Sequence, residues 1–358
     1  MIILLPFLLF IIINVVQMPF PSPSVPLKEK LYVLLIEEGN IGVVDPEAGV
    51  LKRRIQVGSR PMYLAYCKPQ NKVYVSNTGS TKVSVVDVKS EKVTRVLDMP
   101  VETPDVNIGV IAYHENSHRL YVAESTPQNV ASIVYVIDTQ SDQLVGKFPA
   151  GAQIVSMSIS PDGGKIFLLS KREQVEIYSA STFAQIATID NPVKPKVVSP
   201  ASKQKKKLKG LMLPPTLINR IACHPMKDLL YMTLENHPEI FVFNTQTYAV
   251  EMVIHSHESY KGDPTEMYCS SDGAYVFIVN HKTDAKGINC VMLIPTEKND
   301  IVKIFNTGFV LNGLSCSLDG KMFYTAGTDI NIYDLTTYAL LRSVHFQTTL
   351  AGMTAVSE

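Results

Sequence analysis

The chain has no excess of charge of either sign. Its 358 residues include 33 Lys and Arg and 33 Asp and Glu, so the formal net charge is zero at pH 7. A balanced composition gives no global attraction to a polyanion such as DNA or RNA. Basic residues are also not interleaved with aromatics, as they are in proteins that bind single strands. We therefore expect no nucleic-acid partner.

Several short motifs that carry chemistry are missing from the sequence. There is no Gly-rich phosphate loop, no Gly-x-Ser-x-Gly elbow, no Cys-x-x-Cys-His and no His-Glu-x-x-His. We predict no cofactor, and the absence of these motifs favours a binding protein over an enzyme. An enzyme that assembles its site from scattered loops would carry no such motif, so it stays an alternative.

Cysteines are few and odd in number. Of the five, Cys223, Cys269 and Cys316 fall at the same position of three successive repeat units. An odd count cannot pair completely within one chain, and equivalent positions in neighbouring units suit small buried hydrophobic residues. We predict no framework of disulfides.

Long hydrophobic runs are absent except at the N-terminus, where Met1 to Val16 is almost wholly apolar. Prolines follow at Pro19, Pro21, Pro23 and Pro26. We interpret residues 1–18 as a signal peptide or a retained signal anchor and 19–29 as a proline-rich linker. An artefact of the start codon and a buried hydrophobic plug are the other interpretations. The prediction is an extracytoplasmic protein, either secreted or anchored in a membrane.

From Leu31 onwards a pattern of short strands returns about every 40 to 50 residues. Its clearest copy has strand-like segments at 72–77, 82–87 and 92–97, each alternating apolar with polar side chains. A period near this length with four strands per unit is typical of a β-propeller. The sequence thus predicts an all-β repeat fold.

The units add up to seven four-stranded blades. The predicted first strands lie within 61–69, 106–115, 154–162, 217–225, 265–272, 311–319 and 352–358. Residues 30–57 supply only a second, third and fourth strand, so the C-terminal segment must supply the missing first strand. We predict that residues 30–358 form a seven-bladed propeller closed by this shared blade, which removes a free sheet edge.

The segments at 72–77 and 83–87, together with Ser158 to Lys165, resemble the YVTN family of surface-layer-type propeller repeats. The resemblance covers roughly residues 30–358 and is strongest before residue 165. It implies a seven-bladed propeller and, for many members, an extracytoplasmic or surface role. The stretch from Ala326 to Leu335 looks more like a WD repeat, but the chain has no Trp, so the Trp-Asp pair is absent.

A Lys- and Pro-rich insertion at 191–216 interrupts the repeats. It holds five closely spaced lysines, and we predict an exposed loop. They are Lys203, Lys205, Lys206, Lys207 and Lys209. Such a loop suits contact with an anionic partner, namely acidic headgroups, a polyanion or an acidic protein. A solvated loop without a partner is the alternative.

Polar residues just before or within the first strands are expected to meet at one mouth of the central channel. Six of them are candidates for a ligand-binding funnel. They are Arg60, Asn107, Gln153, Asn219, Arg220 and Asn312. Glu266 and Asp105 are weaker candidates for a general base in a lactonase-like propeller. Ordinary hydration of the channel would explain the same residues.

His255 and His257 are weak candidates for metal ligands, because two histidines two residues apart share one side of a strand. Without a third ligand at a diagnostic spacing, loop polarity explains them equally well, and we predict no metal.

The function predicted from the sequence is a non-catalytic propeller that serves as a binding or scaffold module. It would be exported or membrane-tethered and would engage a protein or other ligand through its loops. The alternatives are a lactonase-like hydrolase or redox-enzyme subunit that uses the funnel, and an intracellular scaffold similar to WD-repeat proteins.

Overall fold

A computed structural model describes residues 29–103, 105–127, 130–193, 220–234, 237–256, 262–282, 289–307, 311–346, 348 and 350–357. Within these ranges the chain forms seven four-stranded antiparallel sheets and no helix. The predicted all-β, seven-bladed propeller is confirmed.

Blades 1 to 4 each use four strands that follow one another along the chain. Blade 1 comprises β4 (Pro61–Cys67), β5 (Lys72–Asn77), β6 (Lys82–Asp87) and β7 (Lys92–Asp98). Blade 2 comprises β8 (Asn107–His114), β9 (Arg119–Ser125), β10 (Ala131–Asp138) and β11 (Gln143–Ala152). Blade 3 comprises β12 (Ile154–Ile159), β13 (Lys165–Ser170), β14 (Val175–Ser179) and β15 (Gln185–Ile189). Blade 4 comprises β16 (Ile221–Cys223), β17 (Leu229–Thr233), β18 (Glu239–Asn244) and β19 (Val250–His255).

Blades 5 and 6 repeat this arrangement, and blade 7 combines the two ends of the propeller. Blade 5 comprises β20 (Gly262–Cys269), β21 (Tyr275–Lys282), β22 (Cys290–Pro295) and β23 (Lys303–Asn306). Blade 6 comprises β24 (Gly313–Cys316), β25 (Met322–Ala326), β26 (Asp329–Asp334) and β27 (Leu340–His345). Blade 7 comprises β28 (Leu350–Ser357), β1 (Glu29–Leu35), β2 (Asn40–Asp45) and β3 (Val50–Gln56).

The burial of each strand follows its place in the blade. The second and third strands are apolar on both sides because each sheet lies between two others, and β5 and β6 are buried over most of their length. The fourth strand forms the rim, and β7 is mostly exposed and carries Lys92, Thr94 and Arg95. The β-branched and tyrosine-rich composition of the inner strands fits this doubly packed position.

The apolar core lies between blades and not within any one of them. Each of seven clusters of buried side chains draws its residues from two neighbouring blades. In the cluster between blades 7 and 1, for example, Tyr32 and Val43 are packed together with Val73 and Val75. The first strands also contact one another in sequence order, with β28 between β24 and β4. The blades therefore form a closed ring.

The ring closes where the C-terminal strand pairs with the first. Strands β28 and β1 are antiparallel, with Glu29 opposite Ser357 and Leu31 opposite Ala355. Side chains reinforce this join on both sides. The Glu29 carboxylate accepts hydrogen bonds from the Tyr324 hydroxyl and from the Leu318 backbone, and the Tyr66 hydroxyl lies 2.8 Å from Ser357 Oγ. The predicted closure is confirmed.

A repeated polar contact joins several neighbouring blades. Lys72 and Tyr74 of blade 1 both reach Asp142 in blade 2, at 2.7 Å and 2.5 Å. Lys30 of blade 7 reaches Glu91 of blade 1 at 2.6 Å in the same way. Glu91 and Asp142 end the turn between the third and fourth strands, each with a positive φ. Left-handed backbone at this point presents the side chain to the preceding blade.

Three other blades place an aromatic ring at the same turn position. Phe183, Tyr248 and Tyr338 also have positive φ values. Phe183 stacks on Phe148 of blade 2 with a centroid distance of 5.4 Å, and a Cβ added at Gly146 would lie 2.8 Å from its ring. Between blades 2 and 3 ring packing thus replaces the polar contact, whereas the Lys165 ammonium of blade 3 lies over the Tyr248 ring of blade 4, 5.6 Å from its centroid.

We expect Tyr74→Phe to lower the free energy of unfolding by about 1–2 kcal/mol, because it removes a buried hydroxyl bound to Asp142. Tyr121 is the equivalent residue of blade 2, and its hydroxyl makes no hydrogen bond within the described ranges. Tyr121→Phe is therefore the matched control and should be nearly neutral. Urea denaturation of both variants checks this, and equal losses would show that the polar contact adds no stability.

Candidate functional site

The two faces of the ring differ in their connections. The loop face is the side of the ring that carries two kinds of connection. These are the links from each fourth strand to the next blade and the hairpins that join each second strand to the third. The opposite side, which carries the remaining hairpins, is the turn face. Links between blades on the loop face range from the single residue Gln153 to the long segment 190–220. Variation in length is therefore concentrated on the loop face.

The turn face is built from similar, internally bonded turns. The carboxylates of Asp45, Asp87 and Asp138 each accept a hydrogen bond from a backbone N–H three residues later. Hydrogen bonds within the turns, which for Asp87 come first from the Ser90 side chain, hold the pKa of these carboxyls below the usual range. These acids build turns and are not free to serve a ligand.

Predicted funnel residues that precede the first strands lie at the loop face. Arg60, Asp105 and Gln153 directly or closely precede the first strands of blades 1, 2 and 3, each with a positive φ. Arg60 and Asp105 are exposed, and Asn107 begins β8 in a partly buried position. The Gln153 N–H lies 3.2 Å from Thr126 Oγ1. These side chains are placed around the mouth and do not form one cluster of hydrogen bonds.

Arg220 is held in an ion pair. It is 3% exposed, and its Nη1 lies 3.1 Å from Glu173 Oε1, while the second oxygen of Glu173 accepts a hydrogen bond from Asn191. The pair braces the connection between blades 3 and 4. Asn312 is also buried, and its Oδ1 has no hydrogen-bond partner within the described part of the chain. Asn219 lies outside the described residues.

A cavity of about 170 Å³ lies at the axis between the first strands. Its walls are mainly apolar, and Glu266 is its only acidic residue. It is lined by Met62, Tyr63, Leu64, Val110, Ile111, Met157, Glu266, Tyr268, Leu314, Gly352, Met353 and Thr354. No Lys or Arg is among these described residues. The cavity brings Glu266 of blade 5 close to Tyr63 of blade 1.

Glu266 has an unusual electrostatic environment. Its side chain is partly exposed to the cavity, but Oε2 is buried and has no hydrogen-bond partner. Burial raises the pKa of this carboxyl to about 8, against a smaller opposing effect of a hydrogen bond from the Leu314 backbone. Burial, and secondly the charge of Glu266, raise the pKa of Tyr63 to about 12. Glu266 is therefore mostly protonated at neutral pH, which is a common feature of functional sites.

The sequence predicts Glu266 as a candidate site residue but does not predict that Tyr63 and Tyr268 line the same cavity. Tyr63 and Tyr268 lie in β4 and β20, and the order of the strands alone does not show that both face the axis. A usable signal is that Tyr268 follows Glu266 by two residues, so the two share one side of the strand.

Of the other predicted site residues, only His255 lies among the described residues. His255 is exposed at the end of β19, and His257 and the five lysines lie outside the described residues, as do residues 1–28. Among the described residues no group of three His, Cys, Asp or Glu side chains is arranged to hold a metal ion. No helix in the described ranges is long and apolar enough to span a membrane.

All five cysteines are free thiols, as the odd number and their positions indicated. Cys223, Cys269 and Cys316 pair with equivalent residues of their second strands, which confirms the predicted common position. Burial raises the pKa of Cys223 and of Cys269 to about 12. These thiols are thus poor nucleophiles and act as small packing residues.

A second cavity, of about 430 Å³, opens on the turn face between blades 4 and 5. His224 and Asp272 line it. His224 Nδ1 accepts hydrogen bonds from the backbones of Met226 and Lys227, and the Asp272 carboxylate accepts one from the Ser270 hydroxyl. The side chains of His224 and Asp272 are thus engaged in turns.

Comparison with known proteins places the chain in a fold class. No family model matches it. It is similar to the antigen Lp49 of Leptospira interrogans serogroup Icterohaemorrhagiae serovar copenhageni, with 26% identity over 159 residues. This match covers 40% of the chain and 33% of that antigen, so the chain spans about a third of the length of this relative.

Solved structures resemble most of the chain. The β-propeller domain of Cps50 (Swd1) from Myceliophthora thermophila has a TM-score of 0.62 at 11% identity, covering 82% of this chain and 88% of that one. A chain of a mitotic checkpoint complex scores 0.60 at 11% identity over 82% of each chain. Hydrazine synthase of Kuenenia stuttgartiensis scores 0.60 at 14% identity, covering 82% and 88%. At these identities the likeness shows the fold, and the chain is a seven-bladed β-propeller.

We expect Glu266→Gln to stabilise the protein increasingly as pH rises from about 4.5 to about 8. The native carboxyl keeps its proton over this range while the unfolded one loses it, so wild-type stability falls with pH. The gain should reach the order of a few kcal/mol and then level off. Thermal and urea unfolding across this range measure it.

Glu37→Gln is the control, because Glu37 is an exposed glutamate in the turn between β1 and β2. It should show no such pH-dependent gain. A Glu266→Gln variant whose stability stays parallel to that of wild type would show that the native carboxyl is ionised at neutral pH.

Proposed function

We propose that this propeller is a non-catalytic binding module whose loop face engages a protein partner. The observation that carries the proposal is the difference between the two faces. Connections of variable length open on the loop face, whereas the turn face consists of similar turns whose polar groups are bonded internally. A closed rigid ring that presents variable loops is well suited to recognition.

The lysine segment belongs to the proposed contact. It connects β15 with β16, so its described ends, Val193 and Arg220, lie on the loop face. Both ends are held: Val193 is packed against the core between blades 3 and 4, and Arg220 pairs with Glu173. Five lysines between residues 203 and 209 favour an acidic surface on the partner, or acidic headgroups if the chain is tethered.

We infer an exported or membrane-tethered location and membership of the YVTN-type propellers. The apolar run at 1–18 and the repeat segments at 72–77 and 158–165 support these inferences. The similarity to a chain of the mitotic checkpoint complex supports a role in protein assembly, because propellers of this shape occur in multiprotein complexes.

A photo-crosslinking amino acid placed at Ser59 should capture the partner in intact cells, whereas one at Gln140 should not. Both positions are exposed, Ser59 on the loop face and Gln140 on the turn face. Mass spectrometry of the crosslinked products identifies the partner and its contact. Equal capture from both positions, or capture from Gln140 alone, would contradict the choice of face.

Replacing residues 196–213 with a Gly/Ser linker should leave the melting temperature within about 2 °C of wild type. The replacement keeps Asn191 and Val193, which contact the ring. Crosslinking from Ser59 should fall, and changing the five lysines to Gln should reproduce this fall. Retained crosslinking in both variants would exclude the segment, and loss of cooperative unfolding would show that it is part of the fold.

A propeller hydrolase is the second candidate function, because the partly exposed carboxyl of Glu266 lines a cavity and has a pKa raised to about 8. Asp105, the other candidate for a general base, is exposed at the loop face and does not line the cavity. Hydrolysis of simple lactones by the wild type but not by Glu266→Gln would support this function. A lack of turnover by the wild type would exclude it for these substrates.

A further inference from the structure

We propose that the axial cavity binds a small organic cation whose ammonium group pairs with Glu266. This site is separate from the loop face and does not rest on the proposed protein partner. The proposal depends on three observations: an unpaired carboxyl oxygen, the composition of the walls and the size of the space.

No positively charged residue of the described lining pairs with the Glu266 carboxyl, and a bound cation would fill this role. Oε2 is buried without a hydrogen bond, and the described lining contains no Lys or Arg. An isolated carboxylate in apolar surroundings is unfavourable, whereas one that is paired and hydrogen-bonded is tolerated. Because the Glu266 side chain is partly exposed to the cavity, an ammonium group there supplies both a charge and N–H or polarised C–H donors beside the carboxyl.

The walls favour an organic cation over a metal ion. Two aromatic residues, Tyr63 and Tyr268, line the cavity, and Met62, Met157 and Met353 add polarisable apolar surface. Aromatic faces attract ammonium and methylated ammonium groups through cation–π interactions. A hard metal ion instead needs several oxygen ligands, and among the described lining residues only Thr354 and the two tyrosines add further side-chain oxygens.

The cavity is large enough for a small ligand but not for a peptide segment. Its volume of about 170 Å³ equals that of roughly six water molecules in the liquid. A molecule of the size of choline or an alkylammonium ion fits this space. The closed ring of first strands fixes the cavity, so binding requires no large rearrangement.

Binding should be linked to the loss of one proton. Besides Glu266, the titratable groups that line the cavity are Tyr63 and Tyr268, and burial keeps both neutral at physiological pH. Arg220, at the equivalent place in the neighbouring strand, is already paired with Glu173. Since the carboxyl is mostly protonated at neutral pH, a cation must displace its proton.

Calorimetric titration of the full chain with choline and with its neutral isostere 3,3-dimethylbutan-1-ol tests the proposal. We expect choline to bind at least tenfold more tightly than the isostere. The affinity should rise about tenfold per pH unit between pH 6 and pH 7.5. Titrations in buffers with different heats of ionisation should show the release of close to one proton for each choline bound.

The variants Glu266→Gln and Glu37→Gln separate the site from nonspecific attraction. Glu266→Gln should lose at least tenfold in choline affinity together with the pH dependence, and Glu37→Gln should retain both. Circular dichroism and melting curves confirm that each variant is folded. Equal binding of the isostere, unchanged binding by Glu266→Gln, absence of choline binding at millimolar concentration, or Glu266-dependent binding of Ca²⁺ or Zn²⁺ instead would each overturn the proposal.

Discussion

The pairing of β28 with β1 is the interaction on which the rest of the structure depends. Every blade buries both faces of its sheet against neighbours, and every apolar cluster is shared by two blades. A single unmade junction would therefore expose two apolar surfaces and not one. The same junction joins residues from opposite ends of the sequence, so its loop-closure entropy is the largest that the fold must overcome. Glu29, with its bonds to Tyr324 and Leu318, reinforces this junction.

Closure also creates the axial cavity. First strands of different blades approach one another only because the ring is complete, and side chains far apart in sequence then share one space. Tyr63, Glu266 and Met353 are an example, since they come from blades 1, 5 and 7. The electrostatic character of Glu266 is thus a property of the assembled ring. Desolvation comes from several blades together, and no single blade could produce it.

The sequence predicts blades well because each blade repeats local signals. Alternation in 72–77 and the turn-forming Asp87 are readable from neighbouring residues, and the missing strand of blade 7 follows from counting units. The candidate site is less readable. Arg220 was expected to face a ligand but pairs with Glu173, and Tyr63 was not singled out. The pairing of Arg220 and the position of Tyr63 both depend on contacts between blades, and the pattern of residues along the sequence does not show such contacts.

The turn position that holds Glu91 and Asp142 in some blades and Phe183, Tyr248 and Tyr338 in others has a consequence for the behaviour of the ring. Joints made of ion pairs weaken as dissolved ions screen them, whereas joints made of stacked rings do not. The contacts between blades therefore differ in their sensitivity to salt. At this turn position the ion pairs of the described residues lie at the borders of blade 1 with blades 7 and 2, so added salt would weaken those two contacts more than the stacked rings of Phe148 and Phe183 between blades 2 and 3.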